Sequence, residues 1–169
     1  PILQKCQREE ATQALIMVPT RELCVQVDIE INRLAKYTPI RSVPVYGGQK
    51  IRQQIHALGR KPHLVVGTPG RVMEFMERRV LVLEAIRFAV LDEVDRMLDI
   101  GFRPDIEKIL RRCPSDRQTL LLSATVPPPV ARLAARYMRN PESLDFSPTE
   151  ISGETIDQFY FTVDHDRKF

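Results

Sequence analysis

The sequence of 169 residues predicts an α/β domain, with a mostly parallel β-sheet covered by helices on both faces. Short apolar runs typical of buried strands alternate along the chain with segments whose apolar residues repeat at helical spacing. One of these runs, Phe88–Leu91, leads directly into the acids Asp92, Glu93 and Asp95. Ligands of open α/β sheets bind beyond the carboxyl ends of the strands, so this acid cluster is predicted to lie at a functional site.

The first two strands are each followed by a predicted helix. Ala14–Val18 is a compact apolar run, and Thr20 after it is the predicted N-cap of the first helix. Arg41–Tyr46 is predicted to be a second strand, at an edge of the sheet because Pro44 interrupts it. A glycine pair ends that strand. Apolar residues at helical spacing mark the two helices, with Leu23, Val27, Ile31 and Leu34 in the first and Ile51, Ile55 and Leu58 in the second.

The middle of the chain continues the alternation of strand and helix. Leu64–Val66 is the third predicted strand, and Thr68 caps a helix that takes Pro69 at its first position. Phe88–Leu91 is the fourth strand. A further helix is predicted to begin at Pro104, and its apolar residues are Ile106, Ile109 and Leu110.

The last elements are followed by a change in composition. Thr119–Leu122 is the fifth predicted strand, and Val130–Met138 is the last helix. Residues 147–155 are polar and rich in structure breakers, as linkers are. The segment after them alternates apolar residues in the manner of a strand, at Ile156, Phe159, Phe161 and Val163. We therefore predict one domain over residues 1–146, a linker over 147–155 and the start of a second domain over 156–169.

The composition fits one globular domain with its own core, because 43% of the residues are hydrophobic and the net charge is only +3. This mild basic bias excludes a strongly basic tail, so contacts with phosphates must come from local placement of charge. No apolar stretch approaches the length of a membrane span, and the first residues lack a signal-peptide pattern. Cys6, Cys24 and Cys113 lack metal-ligand spacing, which predicts reduced structural thiols in a cytoplasmic or nuclear compartment. The three histidines show no partner spacing and are predicted in surface or loop positions.

Four short motifs accompany the acid cluster, three before it and one after it. In chain order they are Pro19-Thr20-Arg21-Glu22-Leu23, Gly47-Gly48, Thr68-Pro69-Gly70-Arg71 and Ser123-Ala124-Thr125. Together with the acids, in this order and over this span, they resemble the first RecA-like domain of the DEAD-box RNA helicases. The resemblance covers nearly the whole chain, and it implies a three-layer RecA-like fold with the acid cluster as the Walker B motif.

For the acids, the resemblance implies separate roles in ATP hydrolysis. Asp92 would hold Mg²⁺, through water, and Glu93 would activate the attacking water. Asp95 would link this site to the end of the fifth strand. There, Ser123 and Thr125 would sense the acid cluster by hydrogen bonding and relay the state of the nucleotide to the domain interface. Without the resemblance, these residues would be a solvated acidic turn and a polar strand end.

The other motifs resemble those that hold the RNA backbone in this family. Hydroxyls, arginines and close-approaching glycine or helix-terminal amides are the groups that sugar-phosphate recognition uses, and they carry little sequence information. The same residues are also suited to be helix caps and turn glycines, and both roles can hold at once. The implied RNA-binding residues are Thr20, Arg21, Gly48, Thr68, Gly70 and Arg71.

The chain departs from the family pattern in two respects. Val94 stands where the family has alanine; a β-branched residue suits a strand terminus, so rates rather than chemistry are expected to differ. The P-loop and the adenine-reading glutamine motif have no counterpart in the 169 residues, and the nearest segments, residues 47–50 and 59–62, lack the P-loop spacing. The fragment alone is therefore expected to be inactive in ATP hydrolysis.

The resemblance thus implies part of an ATP-dependent RNA helicase that couples ATP hydrolysis to local duplex unwinding or RNP remodelling. Its cofactors would be ATP and Mg²⁺, and its partners single-stranded or duplex RNA and protein regulators, with no membrane. Two alternatives stay open: a non-enzymatic RNA-binding or adaptor domain of helicase descent, and a DNA translocase, which the DEAD-like motifs disfavour. A Gly-Lys-Thr sequence upstream of Pro1 in the parent protein would support the enzyme.

Overall fold

A computed structural model of the chain describes residues 1–7, 12–146 and 159. It contains a five-stranded sheet in the order β2-β3-β1-β4-β5, and every neighbouring pair is parallel. The strands are β1 Ala14–Met17, β2 Ser42–Val45, β3 Leu64–Gly67, β4 Phe88–Leu91 and β5 Gln118–Leu121. The predicted α/β class with a parallel sheet is confirmed. The predicted linker and second-domain start lie outside the described residues, apart from Phe159.

Helices cover both faces of the sheet. Alternate residues of β1 point to opposite faces, so Ala14 and Ile16 join one apolar cluster while Leu15 and Met17 join the other. The first cluster is covered by α1 and α2, and the second by α3 to α7. Among the helices that the structure describes, none combines the length and the apolar composition of a membrane-spanning segment. The helices are α1 Ile2–Lys5, α2 Arg21–Leu34, α3 Ile51–Leu58, α4 Pro69–Glu77, α5 Val94–Asp99, α6 Arg103–Arg112 and α7 Pro128–Tyr137.

The carboxyl ends of all five strands lie level with one another. Met17 is paired in register with Gly67 and with Leu91, Gly67 with Val45, and Leu91 with Leu121. The segments that follow the strands therefore all begin along one edge of the sheet, which we call the carboxyl edge. Every motif singled out in the sequence lies at or just beyond this edge.

Two local predictions at the strand and helix ends are confirmed. The Thr20 side chain caps α2, with its hydroxyl oxygen accepting a hydrogen bond of 3.2 Å from the Leu23 backbone N–H. The strand that contains Pro44 lies at the edge of the sheet, where a residue without an N–H costs no ladder hydrogen bond. Thr68 occupies the N-cap position of α4 as predicted, but its side chain makes no capping hydrogen bond.

The prediction for Val94 is wrong in its physical reason. Val94 is not a strand terminus but the first residue of α5, a short helix that the sequence patterns did not predict. Its side chain is fully buried beside Met97 in the larger apolar cluster, and its N–H donates to the Leu122 carbonyl at 3.1 Å. A β-branched residue is therefore accommodated here by packing under the helix start, not by strand preference.

His63 lies in a loop, one of the two kinds of position predicted for the histidines. It is buried just before β3, and its Nδ1 lies 3.2 Å from the Arg41 backbone nitrogen, as the acceptor of that N–H. Its own backbone N–H donates to the Arg41 carbonyl at 2.9 Å. The imidazole therefore helps to join the start of β2 to the start of β3.

A tight approach at Gly67 gives a testable prediction of stability. A Cβ atom there would lie 2.4 Å from Val72 Cγ2 and 2.7 Å from Val45 Cγ2, inside the core. We expect Gly67→Ala to lower the free energy of unfolding by about 1–3 kcal/mol through overpacking. Urea denaturation of the 169-residue chain measures this. Gly47→Ala is the matched control, because a Cβ at Gly47 would meet no atom within 4 Å; an equal loss in both variants would contradict the prediction.

Candidate functional site

Asp92 is the first residue beyond β4, in the middle of the carboxyl edge. Its backbone N–H donates to the Met17 carbonyl at 2.9 Å, which continues the pairing of β4 with β1 by one residue. Its Oδ1 accepts a hydrogen bond of 3.0 Å from the Glu93 backbone N–H. Burial raises the pKa of Asp92 above its ordinary value, and the bond from Glu93 offsets part of that rise. A cation placed beside this carboxylate would favour its charged form.

Glu93 has an unusual backbone conformation. Its φ and ψ are both 51°, in the left-handed region that non-glycine residues rarely adopt. This residue makes the abrupt turn from β4 into α5. Its carboxylate reaches solvent and lies 3.1 Å from Arg96 Nη1, in an ion pair between two largely exposed side chains. Lys61, Arg79 and Asn140 also have positive φ, so the conformation fixes the Glu93 side chain at the turn without by itself assigning it a role.

Asp95 connects α5 to the segment after β5. Its Oδ2 accepts hydrogen bonds from the Thr125 backbone N–H at 3.1 Å and from Thr125 Oγ1 at 2.8 Å. Its own N–H donates to Ser123 Oγ at 3.2 Å. Burial acts to raise the pKa of Asp95, but the hydrogen bonds, chiefly from the Thr125 hydroxyl, hold it below its ordinary value. The structure thus brings together the three residues predicted to link acids and strand end; the relay role itself stays a prediction.

The acid cluster alone does not form a complete metal cage. In the described part of the chain, no group of three or more His, Cys, Asp and Glu side chains is arranged to hold a metal ion. Mg²⁺ is commonly held by one or two carboxylates, with waters and phosphate oxygens as its other ligands. The half-buried Asp92 carboxylate beside Glu93 fits that partial coordination.

The glycine pair after β2 lies beside the start of α2. The Arg21 guanidinium stacks on the Tyr46 ring, with 5.3 Å from its carbon to the ring centroid. Gly48 has a φ of +80°, and a Cβ on it would lie 3.9 Å from Arg21 Nη1. Two of the motifs predicted to hold RNA therefore meet at the end of the carboxyl edge formed by β2, β3 and β1.

The start of α4 forms the third predicted RNA contact. A Cβ at Gly70 would meet no atom within 4 Å, so open space lies in front of this helix end. The Arg71 side chain, in contrast, is only 9% exposed and lies against its own helix. Its Nε pairs with Glu74 at 3.0 Å, its guanidinium stacks on Phe75, and its Nη1 is buried without a hydrogen-bond partner among the described residues. The exposed group here is the helix end rather than the Arg71 side chain.

Two residues at the carboxyl edge were missed by the sequence analysis. The Tyr46 ring stacks against the Arg21 guanidinium. The side-chain amide of the buried Gln54 hydrogen-bonds the backbone N–H and the carbonyl of Tyr46. Gln54 could have been noticed as a polar residue on the apolar face of α3, between Ile51 and Leu58. Nothing in the sequence pattern links Tyr46 to Arg21, because their contact is tertiary.

Comparison with known proteins shows which family the chain is similar to. The family model described as DEAD/DEAH box helicase matches residues 1–133. The chain is 45% identical over its full length to the DEAD-box ATP-dependent RNA helicase CshA of Geobacillus kaustophilus, of which it covers 36%, and 44% identical to that of Streptococcus pneumoniae, of which it covers 32%. It thus spans about a third of the length of these relatives.

Solved structures lead to the same family. A DEAD box protein from Methanococcus jannaschii has a TM-score of 0.79 and 40% identity, with 83% of this chain and 38% of that chain covered. A hypothetical ATP-dependent RNA helicase from Sulfolobus tokodaii has a TM-score of 0.77 and 34% identity, with 84% and 41% covered. The predicted RecA-like fold is confirmed. With the family model matching most of its length and helicase domains matching its fold, the chain belongs to the DEAD/DEAH box helicase family.

Proposed function

We propose that this chain provides the Walker B acids and part of the RNA-binding surface of an ATP-dependent RNA helicase. The helicase, called the parent protein below, would couple ATP hydrolysis to local RNA duplex unwinding or RNP remodelling. The observation that carries the proposal is the shared carboxyl edge. The acids after β4 are hydrogen-bonded to the end of β5 through Asp95, while the residues suited to RNA follow β1, β2 and β3 on the same edge.

The acids would divide the chemistry between them. Asp92 would hold Mg²⁺ through water, and the ion would supply positive charge against the phosphate oxygens. Glu93 would accept the proton of the attacking water, since its carboxylate reaches solvent at a fixed backbone turn. Asp95 would hold Ser123 and Thr125 against α5 by hydrogen bonds. These bonds connect the end of β5 to the turn that contains Asp92 and Glu93.

The RNA backbone would lie along the other half of the carboxyl edge. The exposed Arg21 guanidinium is held over Tyr46 next to the Gly47-Gly48 turn, and the open first turn of α4 presents the backbone N–H of Gly70. These groups recognise phosphates and sugars, so little base preference is expected.

The three cysteines are free, which supports placement in a reducing compartment, the cytoplasm or nucleus.

The proposed function is tested by phosphate release from the parent protein with and without RNA. We expect Mg²⁺-dependent hydrolysis that single-stranded RNA stimulates. Failure of the parent protein to hydrolyse ATP, with RNA binding retained, would instead support the adaptor. Equal stimulation by DNA would support the translocase.

The 169-residue chain alone is expected neither to bind ATP tightly nor to hydrolyse it. The acids can hold Mg²⁺, but no P-loop sequence is present among the 169 residues to position the phosphates. Calorimetric titration with ATP and Mg²⁺ measures the affinity. Tight saturable binding, or phosphate release above that of buffer, would contradict this expectation.

Arg21→Ala should weaken binding of the chain to single-stranded RNA by about tenfold, the value of a lost charge-assisted hydrogen bond. The loss should be similar for unrelated sequences, and the slope of log affinity against log salt should become shallower by about 0.7. Fluorescence anisotropy with labelled oligonucleotides measures both. Arg33→Ala is the matched control, because Arg33 lies in the last turn of the same helix, away from the carboxyl edge, and pairs with Glu30. An equal effect of the two variants would refute a specific contact at Arg21.

A further inference from the structure

Gln54 is a buried polar side chain whose amide makes two hydrogen bonds to one residue. It is 2% exposed on the inner face of α3. Its Oε1 accepts from the Tyr46 backbone N–H and its Nε2 donates to the Tyr46 carbonyl, both at 3.0 Å. The pairing of β2 with β3 ends one residue earlier, at Val45 and Gly67. The side-chain amide therefore takes the place of a strand partner for the first residue beyond the strand.

We call the two hydrogen bonds from the Gln54 amide to the Tyr46 backbone the clamp. Tyr46 connects the clamp to the proposed RNA contacts. Its ring supports the Arg21 guanidinium at 5.3 Å, and the Gly47-Gly48 turn follows it directly. The Tyr46 side chain is itself buried, so the orientation of its ring depends on the orientation of its backbone. A change at Gln54 would consequently reach both Arg21 and the glycine turn without any direct contact with RNA.

We propose that Gln54 is a positioning residue for RNA binding, which acts through Tyr46 on Arg21. The inference rests on the proposed function, since it requires Arg21 to contact RNA. A clamp on both backbone groups fixes the peptide plane at the strand end, and fixes with it the surface on which the guanidinium rests. Arg21 then meets RNA already ordered, so less conformational entropy is lost on binding.

The first test replaces Gln54 by methionine, which is similar in size but cannot form the two hydrogen bonds. In the parent protein, Gln54→Met should lower RNA affinity by about fivefold, within the range of coupling between residues in contact, and leave nucleotide affinity without RNA unchanged. Unchanged RNA affinity in the folded variant, or an equal loss of nucleotide affinity, would overturn the proposal.

Gln13 provides a matched control. It is also fully buried, and its amide makes the same pair of bonds to one residue, from the Gln7 N–H at 2.8 Å and to the Gln7 carbonyl at 2.7 Å. It precedes β1, at the edge of the sheet opposite the carboxyl edge. Gln13→Met should cost stability as Gln54→Met does, yet leave RNA affinity unchanged. Equal losses of RNA affinity in the two variants would overturn the proposal, because they would show that the loss follows from lower protein stability in general.

A double-mutant cycle separates the inference from the proposed function. If Gln54 acts through Arg21, adding Gln54→Met to Arg21→Ala should weaken RNA binding by no more than about twofold further. Additive losses would overturn the role of Gln54 and leave Arg21 as an RNA contact. No effect of Arg21→Ala would overturn the RNA contact itself, and the inference with it. Should Gln54→Met not fold, Tyr46→Leu keeps the clamp and removes the ring; unchanged RNA affinity in that variant would also overturn the proposal.

Discussion

Replacing Glu93 by glutamine in the parent protein is expected to slow RNA-stimulated phosphate release by about 10²–10⁴-fold, the contribution typical of a general base. Glutamine keeps the size and hydrogen-bonding capacity of the side chain but removes the basic carboxylate. Asp92 is untouched, and its hydrogen bond from the residue 93 backbone does not depend on that side chain. Binding should therefore survive while the chemical step fails, and ATP and RNA should stay bound together.

The measurement pairs single-turnover phosphate release with RNA affinity in the presence of ATP. Glu77→Gln is the control for loss of one carboxylate, because Glu77 is an exposed residue at the end of α4, away from the acids. Unchanged turnover in Glu93→Gln would reject the base. Loss of ATP affinity together with turnover would instead show that the variant disturbs the strained turn at φ 51°.

The elements that the sequence predicted well are those with a strong local signal. The predicted strand Phe88–Leu91 matches the observed bounds, because a short apolar run followed by polar residues has the length and flanks of a buried strand. Pro44 marked an edge strand because a missing N–H is tolerated only there. Since parallel strands carry their following segments to one edge, the meeting of Asp95 with Ser123 and Thr125 could also be anticipated.

The features that could not be predicted depend on contacts between distant segments. Helix α5 is short, and its start at Val94 is stabilised by a bond to Leu122, 28 residues beyond it. No sequence pattern shows that Gly67 must lack a side chain, which is required by two valines from other elements. The clamp from Gln54 to Tyr46 likewise exists only once α3 has packed against the sheet. Local patterns carry no information on such contacts.

Joint replacement of Ser123 and Thr125 by alanine should separate ATP turnover from strand separation in the parent protein. Their hydroxyls bond to Asp95 and not to Asp92 or Glu93, so the chemical step should proceed within about threefold of its normal rate. Strand separation should fall by about tenfold or more, the effect of losing a coupling free energy of 1–3 kcal/mol. Parallel assays of phosphate release and duplex separation test this, and equal loss of both activities would reject the relay.

The loss of the bond to Asp95 can be verified without any activity. The Thr125 hydroxyl is the main group that holds the pKa of Asp95 below its ordinary value, so Thr125→Ala should raise that pKa. A lowered native pKa stabilises the fold above the ordinary value for aspartate, and this stabilisation is lost as the pH falls through the native pKa. Thr125→Ala should therefore make the free energy of unfolding fall less steeply over that acid range. Thr125→Ser keeps the hydroxyl, so it should keep the steeper fall.

NMR titration of the Asp95 carboxyl carbon measures the shift in the pKa of Asp95. Thr38→Ala, which removes a hydroxyl bonded to the Ala35 carbonyl after α2, should leave both the pKa of Asp95 and strand separation unchanged.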